Sequence, residues 1–201
     1  MQEFWVFIKL GFYHITDFGG YDHLLFIIAL SAVYQIREWR KILIIVTAFT
    51  IGHSITLALA TYKIIILSPK FIEAVIPITI LFTAIVNLFS IKDEKQWNKN
   101  TPNGVLRYLL AICFGLIHGL GFSNYLRVMI AKSGAISIPL LGFNIGLEVG
   151  QLVVLFCFLS ISSIFIFMFD SFVRVSSWKQ FISGAVAGIS ITLLIKTFSG
   201  E

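Results

Sequence analysis

Charge is scarce in this chain. Asp, Glu, Lys and Arg make up only 12% of its 201 residues, about half the share in an ordinary soluble domain, and 58% are hydrophobic. That balance excludes a soluble globular protein. Cysteine is nearly absent. Cys113 and Cys157 lie inside apolar runs without CxxC spacing, which argues against a disulfide framework and against a thiolate metal site. No nucleotide-binding motif occurs, so ATP is not the direct energy source of any activity. A basic n-region and a small-residue cleavage site are also missing ahead of the first apolar stretch, where Glu3 stands, and no cleavable signal peptide is expected. The net charge of +5 does not mark nucleic acid as a partner, because the fifteen Lys and Arg are scattered singly through short loops and read as topology determinants.

What is present is apolar sequence. The mean hydropathy is +0.93 and there are twenty Phe. The apolar runs approach the ~20 residues that cross a bilayer. They are continuous rather than alternating, and an open sheet would leave backbone groups unpaired in lipid, so the spanning elements are helices. The expectation is an all-α, polytopic transmembrane helical bundle occupying residues 1–201 as a single domain. Six spans are expected at Tyr21 to Gln35, Lys41 to Tyr62, Phe71 to Ser90, Val105 to Phe122, Pro139 to Phe169 and Phe181 to Phe198. The stretch from Glu3 to Ile15 is only about 13 residues long, suited to an interfacial, re-entrant or short seventh helix. The polar stretch Lys92 to Gly104 reads as a solvated loop. Nine basic residues in the odd-numbered loops against six on the other side favour both termini outside.

All four histidines, His14, His23, His53 and His118, fall in or beside apolar segments, and Glu148 sits in FNIGLEVGQL. Ionisable groups within a span are costly and by default face the bundle interior or a water-filled cavity. Helical rise from the basic flanks puts His53 and His118 roughly 16–18 Å from the inner boundary. His23 and Glu148 fall near the same outward layer. Imidazole with carboxylate suits Zn, Ni, Co or Fe(II), whereas Mg or Ca would ask for oxygen alone. Thr47, Thr50 and Ser54 flank His53 and either orient its ring or bond back to their own helix. Asn144, Glu148 and Gln151 form a polar stripe. Glycines at four-residue spacing (Gly142, Gly146, Gly150; Gly115, Gly119) read as close helix packing. Asp22 has a competing role as a helix N-cap, and Glu73 reads as a solvated or interfacial charge.

The strings HITDFGGYDHLLFIIAL (14–30), FTIGHSITLAL (49–59), FGLIHGLGFSNYL (114–126) and FNIGLEVGQL (143–152) resemble, in order, the second subgroup of the HupE/UreJ family of bacterial membrane proteins. The resemblance implies a multi-pass protein of the bacterial cytoplasmic membrane, associated with nickel and regarded as a metal permease. It also implies that Gly20, Tyr21, Asp22 and His23 correspond to a GxDH signature, with His14 as the preceding histidine. No proline follows His14 here, and the His-rich N-terminal stretch of the hydrogenase-linked members is absent.

Two principal functions follow. The first is a permease for a divalent transition metal (Ni, Co or Zn), bound transiently by His23, His53, His118 and Glu148, with Asp22, His14 and Asp17 at the outer entrance. The second is a membrane-embedded zinc hydrolase of a lipid or lipid-linked substrate, with Glu148 or Asp22 as general base. A protein that binds metal only for stability is a third reading. The expected partners are the metal ion and the lipid bilayer, with no nucleic acid; homo-oligomer formation is left open.

Overall fold

The computed structural model describes residues 2–17, 19–90, 104–130, 136–169 and 174–199. Every regular element among them is helical: α1 Gln2–Thr16, α2 Asp22–Ser31, α3 Trp39–Thr61, α4 Pro69–Ser90, α5 Gly104–Ile130, α6 Ser137–Met168 and α7 Val175–Ser199, with a 3-10 turn at Ile36–Glu38 leading into α3. Four segments are long and apolar enough to cross a bilayer: Ile36–Thr61, Pro69–Ser90, Ser137–Met168 and Val175–Ser199. The apolar window of α5, Arg107–Ser123, is shorter, as is α2. The chain is an all-helical membrane protein. The expected polar loop at Lys92 to Gly104 lies, but for its last residue, outside the described residues.

Glycine sets how the helices meet. Along α6, Gly142 lies against Phe4, Gly146 against Ile8, and Gly150 against Phe12 and Ile15. Contacts that advance together in this way mean that α1 and the first half of α6 run parallel, backbone on backbone. A Cβ added at Gly146 would overlap the Ile8 carbonyl, and one at Gly11 the Phe143 carbonyl. The pair α3 and α5 is built alike: Gly52 meets Ile112, Gly115 meets Phe49, and Gly119 meets His53 and Thr56. Small residues permit this approach, and dispersion between the closely set backbones then holds helices together where lipid removes the hydrophobic drive. The glycine stripes read from the sequence are therefore packing surfaces. Cys113 and Cys157 are exposed free thiols on the outside of the bundle.

The helix α2 continues in the direction of α1. Its first residues, Asp22 and His23, share a cavity with Pro69, Ile72 and Ile76 at the start of α4. Its Ala29 carbonyl accepts a 2.6 Å hydrogen bond from Asn87, near the end of α4. The segment after it, including Ala32 and Ile36, shares a small cavity with Phe158, Leu159 and Ile166 in the second half of α6. Two helices in series thus run the length of α6, broken between Thr16 and Asp22. This differs from the sequence reading in one way: the segment from Tyr21 to Gln35 holds a helix of 10 residues, about 15 Å of rise and half a hydrocarbon core. The N-terminal segment, expected as an interfacial, re-entrant or short seventh helix, is a helix of 15 residues that buries Phe7, Gly11 and Ile15 against the bundle.

Hydroxyls inside the bundle bond back to their own helices, as Ser31 does to the Ile27 carbonyl (2.6 Å) and Thr83 to that of Thr79 (2.9 Å). Such bonds keep polar groups satisfied without water. Gly146→Leu should prise α1 from α6. The expected cost is roughly 1–3 kcal/mol, or about 2–12 °C in melting temperature for a chain of this size. Gly188→Leu, on α7 where no atom lies within 4 Å of an added Cβ, should leave the melt in detergent unchanged.

Candidate metal centre

The four histidines converge at the break between α1 and α2. His14 comes from the last turn of α1, His23 from the first turn of α2, His53 from α3, and His118 from α5 between the glycines that seat it on α3. One nitrogen each from His14, His23 and His53 lies within 4.8 Å of the others. The ring centroids are 4.4 Å apart for His14 and His23, and 6.2 Å for His53 to either. His118 stands beside this trio, 5.3 Å from the His23 ring.

Their hydrogen bonds define what they can accept. Nδ1 of His23 donates to the Asp22 carboxylate at 3.0 Å, and Nδ1 of His118 donates to the Phe114 carbonyl at 2.9 Å. Each bond fixes the tautomer and leaves Nε2 as a lone-pair donor, the arrangement by which carboxylates and carbonyls orient metal-binding imidazoles. Nε2 of His14, His23 and His118, and both ring nitrogens of His53, are buried without a protein partner. A buried polar group left so costs about 1–3 kcal/mol. One of the two His53 nitrogens carries the ring proton, so up to four of these five atoms offer a lone pair to one ligand. An ion with metal–nitrogen bonds of about 2.1 Å asks for nitrogens roughly 3–3.5 Å apart, a spacing that small side-chain rotations reach from the one observed. The surrounding walls are aromatic: Phe122 packs 4.0 Å from His14, while Phe26 and Phe49 lie 5.0 and 5.3 Å from His118.

The site is reached from one face. A cavity of about 260 Å³ is lined by His14, His23 and His118 together with Asp17, Asp22 and Glu73. It shares Gly20, Asp22, Glu73 and Ile76 with a larger vestibule of about 780 Å³ that extends to the exposed residues Lys70, Lys196 and Phe198. Three carboxylates thus stand between solvent and the imidazoles. Asp17 also holds the turn, accepting the Gly19 N–H at 2.8 Å. Asp22 begins α2 and accepts both the backbone N–H (2.9 Å) and the ring N–H of His23, so it orients that histidine and does not serve as a conventional cap.

Glu148 stands apart from the three-histidine group. Its carboxylate accepts a 2.7 Å bond from Thr47, and one turn along Gln151 accepts from Thr50 at 2.7 Å, forming a polar seam between α3 and α6. Ser54 bonds back to the Thr50 carbonyl. The sequence reading counted His14 and Asp22 among the candidate metal residues, on the entrance side, and gave Glu73 no part. The structure sets His14 in the cluster and Glu73 on the cavity wall. A signal for the first was present: histidines nine residues apart flank a stretch with Asp17, Gly19, Gly20 and Asp22, which marks an interrupted span.

Fold and site together define a helical membrane protein with imidazoles gathered at an interrupted helix. Over residues 1–199 the chain matches the family model described as HupE / UreJ protein, and it belongs to that family. No curated protein and no solved structure matches it. Asp22→Asn should leave the fold intact and weaken metal affinity by about 10–100-fold through loss of the carboxylate that orients His23, read by titration of the purified protein with Ni, Co and Zn.

Proposed function

We propose that this protein is a permease for a divalent transition metal, nickel or cobalt foremost and zinc also within reach of its ligands, in the cytoplasmic membrane of a bacterium. The observation that carries the proposal is the set of five unpartnered imidazole nitrogens at the break between α1 and α2. Interrupted helices that meet around a site near the middle of the membrane are a recurring device of secondary transporters. At the break the negative pole of α1 and the positive pole of α2 oppose one another, and the carboxylate of Asp22 sits at the positive one. Family membership supports the metal as cargo. In this reading α1 and α2 together make one pass, and α3 to α7 make five more, six in all.

The residues divide the work by depth. Asp17, Asp22 and Glu73 concentrate the dication at the mouth, and the field of three carboxylates acts strongly there because the cavity is walled by low-dielectric helix. His14, His23, His53 and His118 then replace part of its hydration shell. Neutral nitrogen ligands without thiolate bind firmly enough to admit the ion and loosely enough to release it, the condition that permeation sets. Glu148 belongs to the α3–α6 seam in this assignment and holds no metal.

A second reading keeps one specific support. The cavity brings carboxylates beside imidazoles, as a membrane-embedded zinc hydrolase would require. Elemental analysis paired with proteoliposome uptake of Ni, Co and Zn separates the two. The permease predicts saturable uptake that falls at least tenfold in His53→Ala and His118→Ala, with His14→Ala losing as much bound metal as His53→Ala and Glu148→Gln retaining it. Tightly held stoichiometric zinc without uptake would overturn the permease in favour of the hydrolase.

A further inference from the structure

Beyond the histidines the bundle is closed in two successive layers. The first is aromatic. Phe26, Phe49 and Phe114, from α2, α3 and α5, are buried and packed on one another, with ring centroids 4.9 Å apart for Phe26 and Phe49 and 5.7 Å for Phe26 and Phe114. Two of these rings lie against His118 on one side, and Ala29, Ala84 and Ala111 extend the same buried cluster on the other.

The second layer is cationic. Asn87 of α4 is fully buried, and it reaches in two directions: its Nδ2 donates to the Ala29 carbonyl at 2.6 Å, and its Oδ1 accepts from Nη1 of Arg107, on α5, at 3.3 Å. The guanidinium also stands 5.7 Å from the ring centroid of Tyr34, in the segment after α2. Its Nη2 is buried and makes no hydrogen bond to protein. Arg107 is therefore tied to the end of α2, to α4 and to the turn before α3. From Arg107 to His118 is eleven residues of α5, about 16 Å of helix, so a permanently charged guanidinium lies roughly three turns below the metal cluster.

We infer that Arg107, positioned by Asn87, is the electrostatic gate of the far half of the pathway: its fixed positive charge holds back cations, the metal as well as protons and monovalent ions, while the metal site is open to the mouth. The inference rests on the permease reading. Arg107 is half-buried at the start of α5, and a charge of the same sign as the cargo repels any cation that nears it from either direction, the dication most strongly. The metal passes only when the bonds from Asn87 to Ala29 and Arg107 are released and the guanidinium leaves the axis. Arg107 is thus a barrier residue, and Asn87 is the residue that positions it.

The test uses full-length protein in proteoliposomes, with bound metal measured alongside. Arg107→Gln and Asn87→Asp are expected to raise proton and potassium leak about tenfold at unchanged metal stoichiometry, while Arg107→Lys stays near the wild-type leak. Asn87→Asp keeps the side-chain shape and places a negative charge beside the guanidinium, so it tests charge even if Arg107→Gln fails to fold. In a Cys113→Ala, Cys157→Ala background, Ala84→Cys in nanodiscs should resist a membrane-impermeant thiol reagent, and should react once Asn87→Asp is added. Unchanged leak and an unreactive thiol in variants that still bind metal would overturn the barrier. Absence of metal uptake by the wild type, whatever the leak, would instead overturn the permease reading on which it rests.

Discussion

Everything at the centre of this protein depends on backbone approaching backbone without an intervening side chain. In lipid no hydrophobic gain rewards two helices for meeting, so the contact must be made by close packing alone. Gly146 against Ile8 and Gly119 against His53 make it. The consequence reaches the chemistry directly, because the same contacts set the rings of His14 on α1 and His53 on α3 6.2 Å apart and His118 on α5 beside His23. A wider spacing between either pair would leave the imidazoles in separate compartments, each with its own unsatisfied nitrogen.

The electrostatic design follows from that geometry. Carboxylates occupy the mouth, neutral imidazoles the middle, phenyl rings the next layer and a guanidinium the last. Charge changes sign along the axis, and the two charged zones are separated by groups that carry none. In the permease proposed above, a dication would pass the carboxylates of the vestibule, where Lys70 and Lys196 also stand, then the imidazoles, then the phenyl rings, and then face the guanidinium.

Much of this was legible in the sequence. Composition and continuous apolar runs fixed the class, and four histidines in apolar surroundings pointed to a buried site because such residues are costly in a membrane. The glycine spacing anticipated which helices pack tightly. The interruption between α1 and α2 left a mark in the sequence, the Asp and Gly residues between His14 and His23, but hydropathy counts apolar residues and does not register that the chain from Thr16 to Asp22 leaves the helix. Depth by helical rise sets Glu148 near the histidine layer; it gives a residue's height and says nothing of its partners, and in the structure Thr47 donates to Glu148 across the seam with α3. The role of Arg107 was hidden for a related reason, since a basic residue near the end of a span reads first as a topology signal.

The interrupted pass also constrains how the protein is made. The ten residues of α2 and the short α1 are each too brief to hold a bilayer alone, and the surface that receives α1, from Gly142 to Gly150 on α6, is synthesised some 130 residues later. The helix α1 therefore waits for the surface that seats it: a chain truncated before α6 carries all four histidines and still lacks the partner that brings His14 to the other three.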